Sequence, residues 1–233
     1  TRETYERVTR RRGSFSAFRR GLDRLLAAGL PVRLKTMALR SNVHELPEIA
    51  RFCRERTRDS FRFDPFLTLR HDRDPGRNRE IVAERLSPEE VVRLERADPA
   101  RFGALVKSCD RLLPPEGSSG EGCGLLFRCG AGMSGFAVAW NGVFLLCSSL
   151  THPACVYDLR AGTVHNAWQE LVPRVRVMIS EREEYRKRCG RCRLVNLCLW
   201  CPAHAWLETG ELDRPEEAFC RTAHAREAML LTG

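Results

Sequence analysis

The stretch CGRCRLVNLCLWC, Cys189 to Cys201, places four cysteines in thirteen positions, separated by two, five and two residues. A disulfide knot, a zinc site and an iron–sulfur site all use closely spaced cysteines, and the surrounding sequence separates them. The chain has 233 residues and eleven cysteines; Cys53 and Cys109 lie before residue 120, and the other nine crowd into the last 111 residues. No run approaches the roughly eighteen apolar residues of a membrane span, and TRETYERVTRRRG at the start lacks the apolar core of a signal peptide. The expected compartment is therefore the cytoplasm, where clustered thiols read as metal ligands before they read as disulfides.

Working outward from the quoted stretch, the second half reads Cys123-x5-Cys129-x12-Gly142-x4-Cys147, a gap, Cys189-x2-Cys192-x5-Cys198-x2-Cys201, a second gap, and Cys220, with Cys155 left over. Eight sulfurs divide into two sets of four, the number that a cubane [4Fe-4S] cluster or a tetrahedral zinc takes when fully ligated by protein. Zinc usually draws on two close pairs separated by about fifteen to twenty residues. Here the pairs are only five residues apart, so sites that borrow from distant cysteines are easier to build. A zinc-binding structural or interaction domain without catalysis stays open as the alternative, because thiolates hold either metal.

The first half has a different grammar. Phe15, Phe18, Leu22, Leu25 and Leu26 recur at helical spacing, with Gly29 placed to end the helix and Pro31 just beyond. VRLKTMAL (32–39) reads as a strand with Val32, Leu34 and Thr36 on one face. NVHELPEIARFCRE restarts a helix on Leu46, Ile49, Phe52 and Cys53, and FRFDPFL (61–67) is a second strand. Helix, strand, helix, strand is the α/β repeat of a parallel sheet or barrel, and two units are too few to close one. In LSPEEVVRLE, Ser87, Pro88 and Glu90 suit a helix start. PPEGSSGEG (114–122) is a linker by composition, which divides the chain into 1–113, 114–122 and 123–233. In FAVAWNGVFLLC (136–147), Asn141-Gly142 suits a tight type I′ hairpin turn that delivers Cys147 to a strand end. Helices follow around NAWQELVPRVRVMIS and PEEAFCRTAHAREAML. The chain opens at Thr1 in a polar helix-forming stretch, so it reads as a piece of a longer protein.

The net charge of +9 is uneven: residues 1–40 hold eleven Arg or Lys against Glu3, Glu6 and Asp23. With no aromatic-interleaved basic motif, solvated helix faces account for this better than nucleic-acid binding does.

The cysteine string resembles the SPASM domain of radical SAM enzymes, whose pattern is Cys-x9-15-Gly-x4-Cys, a gap, Cys-x2-Cys-x5-Cys-x3-Cys, a gap and Cys; the likeness covers residues 123–220. Residues 1–110, including GSFSAFRRGLDRLLAAGLPVRLKTMALRSNVHELPEIARF, are similar to the later units of the radical SAM partial barrel. The resemblance implies an α/β fold: the C-terminal portion of a partial (β/α) barrel followed by a small cysteine-rich α+β domain with a β-hairpin. It implies an auxiliary [4Fe-4S] cluster I on Cys123, Cys129, Cys147 and Cys201, and an auxiliary cluster II on Cys189, Cys192, Cys198 and Cys220. It further implies a peptide- or protein-modifying, maturase-like activity for the full-length protein, with S-adenosyl-L-methionine as its cofactor, an external electron donor and a missing N-terminal radical SAM region. Asn42, after the first strand, would touch the S-adenosylmethionine moiety, or it caps the helix that follows.

Three departures from the family pattern stand out. Cys198 and Cys201 are two residues apart instead of three, and Ser148 follows Cys147 where sulfatase-maturing relatives have an acidic base. No Cys-x3-Cys-x2-Cys occurs, so this chain by itself has no residues assigned to catalysis. Cys53, Cys109 and Cys155 read as structural. His44, His165 and His204 read as solvated or capping, and Trp140, Trp168, Trp200 and Trp206 as packing around a metal-held core.

Overall fold

Phe15, Phe18, Leu22 and Leu26 lie three or four residues apart, and the chain winds there into α2 (Ser14–Ala27), following α1 (Arg2–Thr9). Gly29 takes a φ of 67°, and the N–H groups of Leu30 and Gly29 donate back to the carbonyls of Leu25 and Leu26 at 3.1 and 3.0 Å. The helix therefore stops where a residue without a Cβ can turn left-handed. The computed structural model describes residues 1–57, 61–107 and 124–232.

Strands β1 (Lys35–Met37) and β2 (Arg62–Asp64) pair in parallel, with Thr36 opposite Phe63. Between them come a 3₁₀ turn (Val43–Glu45) and α3 (Leu46–Arg56), the crossover that parallel strands require. β1 is shorter than the strand expected over 32–39. The expected alternation persists, with Val32, Leu34 and Thr36 half-buried and Arg33 and Lys35 exposed. Helix α4 (Pro75–Glu84) begins at Asp74, whose carboxylate accepts the Arg77 N–H at 2.9 Å. These elements form the first unit, Thr1–Thr68 with Asp74–Ser87. Among its described residues the strands make a two-stranded sheet and no closed barrel.

The second unit takes Leu69–Arg73 and the chain from Pro88 onward. The described residues thus divide near Ser87, and the boundary expected at 113 lies outside them. The reason is burial: α5 (Pro88–Ala97) lies along α11 (Glu217–Leu231), and Val92 of α5 and Phe102 of α6 (Pro99–Lys107) pack on Leu194, Leu197, Ala223, Met229 and Leu230. The linker expected at 114–122, together with Cys109 and Cys123, lies outside the described residues.

A second core forms on an antiparallel sheet in the order β3 (Ala137–Val138), β4 (Val143–Leu145), β5 (Val156–Asp158). The hairpin turn differs from the expected type I′. Gly142 has a φ of 82°, but Asn141 is not in the left-handed region, which a type I′ turn would require of both. Instead, Gly142 N–H donates to Ala139 O at 3.0 Å and Ala139 N–H to Val143 O at 2.9 Å, a three-residue loop of Trp140, Asn141 and Gly142. Phe144, Leu146, Leu150, Leu171 and Val175 are fully buried beneath the sheet. Each such side chain contributes about 1.5–3 kcal/mol by leaving water.

Among the described residues, further helical segments of the unit are a 3₁₀ turn (Pro153–Cys155), α7 (Val164–Asn166), a π turn (Ala167–Leu171), α8 (Val172–Arg176), α9 (Glu183–Lys187) and α10 (Pro202–Thr209). Among the described residues, no helix is long and apolar enough to cross a membrane.

Candidate metal centre

Between α9 and α10 the chain makes a series of tight turns, several of which begin or end on a cysteine. Cys192 N–H donates to Cys189 O at 3.3 Å, Val195 N–H to Cys192 O at 3.3 Å, and Cys198 N–H to Leu194 O at 3.0 Å. Leu194 and Leu197, which separate the two close pairs, point into the core and fix the turns. Cys201 is the N-cap of α10 with Pro202 in its first turn, and Cys220 sits in the first turn of α11. Cys129 precedes β3, and Cys147 lies two residues past β4.

Six of the cysteines line one cavity of about 570 Å³ in the second unit, Cys129, Cys189, Cys192, Cys198, Cys201 and Cys220, whereas Cys147 is not in its wall and packs against the core beneath the sheet. Trp200, Tyr185, Leu126 and Pro202 give the wall its apolar part. All nine described cysteines are free thiols. Among the described residues, no three His, Cys, Asp or Glu side chains are drawn together as a single ion would need. The thiols stand around a space instead of around a point. Sulfur donors of this kind are a donor set that zinc and iron–sulfur clusters both take.

Backbone N–H groups point at sulfur: Trp200 N–H donates to Cys198 Sγ and His204 N–H to Cys201 Sγ, each at 3.4 Å, and the backbone of Ser149 and Leu150 meets Cys147 as that of Ala203 meets Cys201. Such bonds favour the thiolate and tune any metal it holds. Burial is the larger influence and pushes the thiols of Cys147, Cys198 and Cys201 up, and that of Cys189 up to about 11. Neighbouring sulfurs add to it. Cys201 and Cys129 act on Cys147, whereas Cys198, Cys192 and Cys220 act on Cys189, and Cys192 and Cys220 on Cys198. Like charges disfavour one another, so each of these thiolates would raise the others' thiols.

Arginines surround the cysteines. Arg188 donates to Glu184 and Glu217 at 3.0 and 3.2 Å and also meets the Cys220 thiol. Arg128 donates to Gly190 O at 2.7 Å, and Arg176 donates to the carbonyls of Cys129 and Ala131. Arg226 donates to Leu197 O at 2.6 Å, one residue before Cys198. None of these arginines announces itself by motif. Arg226 does carry a signal: it follows Ala223 and precedes Met229 and Leu230 on the packed side of α11, an apolar register for a charged residue.

Asn42 is buried after β1, where its Oδ1 accepts the Leu39 N–H at 2.9 Å and its Nδ2 donates to Met37 O at 3.0 Å. It stands at the N-cap position of the 3₁₀ turn without a side-chain cap bond, and it lies on the wall of a second cavity, of about 590 Å³, within the first unit. His204 is a packing residue, stacked on Phe219 with centroids 5.8 Å apart and Nδ1 3.1 Å from Leu199 O. Cys53 and Cys155 are buried in apolar surroundings, as structural cysteines should be. Trp200 lines the cavity beside Tyr185, Trp168 meets Phe136, and Trp206 carries the Arg73 guanidinium 3.8 Å above its ring. Trp140 corrects the expectation of packing: it is 99% exposed at the tip of the hairpin, where a three-residue loop points it outward.

Comparison with protein-family models, curated proteins and solved structures returns no match for this chain.

Proposed function

We propose that the second unit holds two auxiliary [4Fe-4S] clusters in a radical SAM/SPASM-type protein, one on Cys123, Cys129, Cys147 and Cys201 and the other on Cys189, Cys192, Cys198 and Cys220. The observation that carries this reading is the cavity with six cysteines in its wall. Support for the division comes from the neighbours of each thiol: Cys147 feels Cys201 and Cys129, and Cys189 feels Cys198, Cys192 and Cys220. Cys123, the fourth member of the first set, lies outside the described residues.

A bound cubane supplies one-electron redox capacity or a site to hold substrate. The chain's own residues do the rest. Leu194 and Leu197 hold the turns, Trp200, Tyr185 and Pro202 keep water from the sulfurs, and Arg188 places positive charge at Cys220. In this reading the full-length protein modifies a peptide or protein with S-adenosylmethionine, with Asn42 on the cofactor side of the first unit. The segment itself carries electrons or holds substrate and starts no radical chemistry.

The test is iron, sulfide and zinc content, with a visible spectrum, on protein reconstituted without oxygen. About eight iron and eight sulfide per chain, falling by half in Cys192→Ala, is the expected result. Zinc without sulfide would overturn it in favour of a zinc-stabilised interaction domain.

A further inference from the structure

Two charged residues are buried where α5 meets α11. Glu95 is fully buried and Arg226 is 6% exposed. Arg226 Nε and Nη2 donate to the two Glu95 carboxylate oxygens at 2.9 and 2.7 Å, and Arg101 Nη2 donates to Oε1 at 2.6 Å. The third Arg226 nitrogen, Nη1, faces the other way and donates to Leu197 O at 2.6 Å. One guanidinium thus spans the space between the carboxylate and the cysteine turns. Packing alone does not call for such a pair, since apolar residues of similar volume are often at least as stable.

We propose that Arg226 is a positioning residue for the second cysteine set and that Glu95 moderates it: Arg226 fixes Leu197 and hence Cys198, and its charge, partly offset by Glu95, favours the electron-rich state of a cluster on Cys189, Cys192, Cys198 and Cys220. This inference rests on the iron–sulfur reading. The physical basis is Coulombic. An electron taken from a reductant such as dithionite adds one negative charge at the cluster, and a buried cation beside the ligand loop stabilises that charge more than it would in water. Arg226 presents its guanidinium to the loop, and Glu95 lies on its far side, so the cation is the nearer charge.

The experiment is a dithionite titration followed by electron paramagnetic resonance on the anaerobically reconstituted chain. The signal lost in Cys192→Ala identifies the second set. Glu95→Gln keeps the shape and removes the offsetting charge, so the midpoint of that signal rises. Arg226→Gln lowers it, Glu95→Gln with Arg226→Gln brings it back toward the unsubstituted chain, and Arg226→Lys, which keeps the charge, stays near it. Shifts of one sign in both single variants, or no shift in loaded protein, would overturn the inference and leave a structural ion pair. Failure of the unsubstituted chain to take up iron and sulfide would overturn the cluster reading itself, and this inference with it. If Arg226→Gln loses the cluster, Glu95→Gln still decides the sign, with Arg226→Lys as the charge-preserving control.

Discussion

Arg226 joins Glu95 and Leu197, residues 131 and 29 positions away in sequence, through three nitrogens of one guanidinium. Helix α5, helix α11 and the cysteine turns are therefore tied at one point. Burial pushes the Glu95 carboxyl up, but the hydrogen bond from Arg226 and the charges of Arg226 and Arg101 outweigh it, so the group sits below the ordinary carboxylate range.

Truncating one partner of this pair leaves the other charge buried alone. Glu95→Ala should cost about 3–5 kcal/mol of stability, whereas Glu95→Leu with Arg226→Met should cost far less or nothing. Urea unfolding of the metal-free chain checks both. Because the carboxyl is depressed, its contribution is present above the unfolded value and lost as pH falls through the folded one, so in acid the parent should lose stability relative to the double variant, which lacks the carboxyl.

The two sets should empty separately. Cys147→Ser removes a ligand of the first set and Cys189→Ser one of the second, so each should hold about half the iron of the parent, and the double variant close to none. Iron determination after desalting reads this directly. A loss of all the iron in either single variant would mean that the sets do not load independently.

Burial pushes the Cys155 thiol from 9.0 to about 11, and Cys189 rises to about 11 as well. A raised thiol gives stability that is fully present below the unfolded value and is lost as pH rises through the folded one. The metal-free chain should therefore weaken between about pH 9 and pH 11, by about 2–3 kcal/mol for the fully buried Cys155. In Cys155→Ala, melting temperature should fall less over that interval, even though the variant is less stable at neutral pH.

Three neighbours in the hairpin should respond differently. Phe144→Ala empties a fully buried site and should cost about 3–5 kcal/mol. Gly142→Ala meets no atom within 4 Å but places a Cβ at φ 82°, for about 1 kcal/mol. Trp140→Ala, at an exposed tip, should stay within about 0.5 kcal/mol. Denaturant midpoints of the three variants check the order.

Local features were the legible ones. Gly29 ends α2 as the sequence implies, because a left-handed stop depends on one residue and its near neighbours. The meeting of Cys129, Cys201 and Cys220 in the wall of one cavity was not legible in their spacing, since neither helical nor strand periodicity carries contacts over such separations. The hairpin was legible but its turn type was not: Asn-Gly favours two positive φ values, and the chain spends only one, on Gly142. The assignment of α5 to the second unit was hidden for a different reason. Glu95 reads as a solvent-facing charge in VVRLERA, and only its partner on α11 makes burial tolerable.

In the proposed reading, Cys201 occupies a position under two independent demands. Its sulfur accepts the His204 N–H and so starts α10, a task that oxygen performs equally well, whereas zinc or a cluster iron in a thiolate set binds the sulfur more strongly. The exchange of that one atom for oxygen separates the two demands: Cys201→Ser preserves the helix and deletes the ligand. At this residue, architecture and cargo can be inherited separately, so a descendant chain could lose the metal and keep the shape.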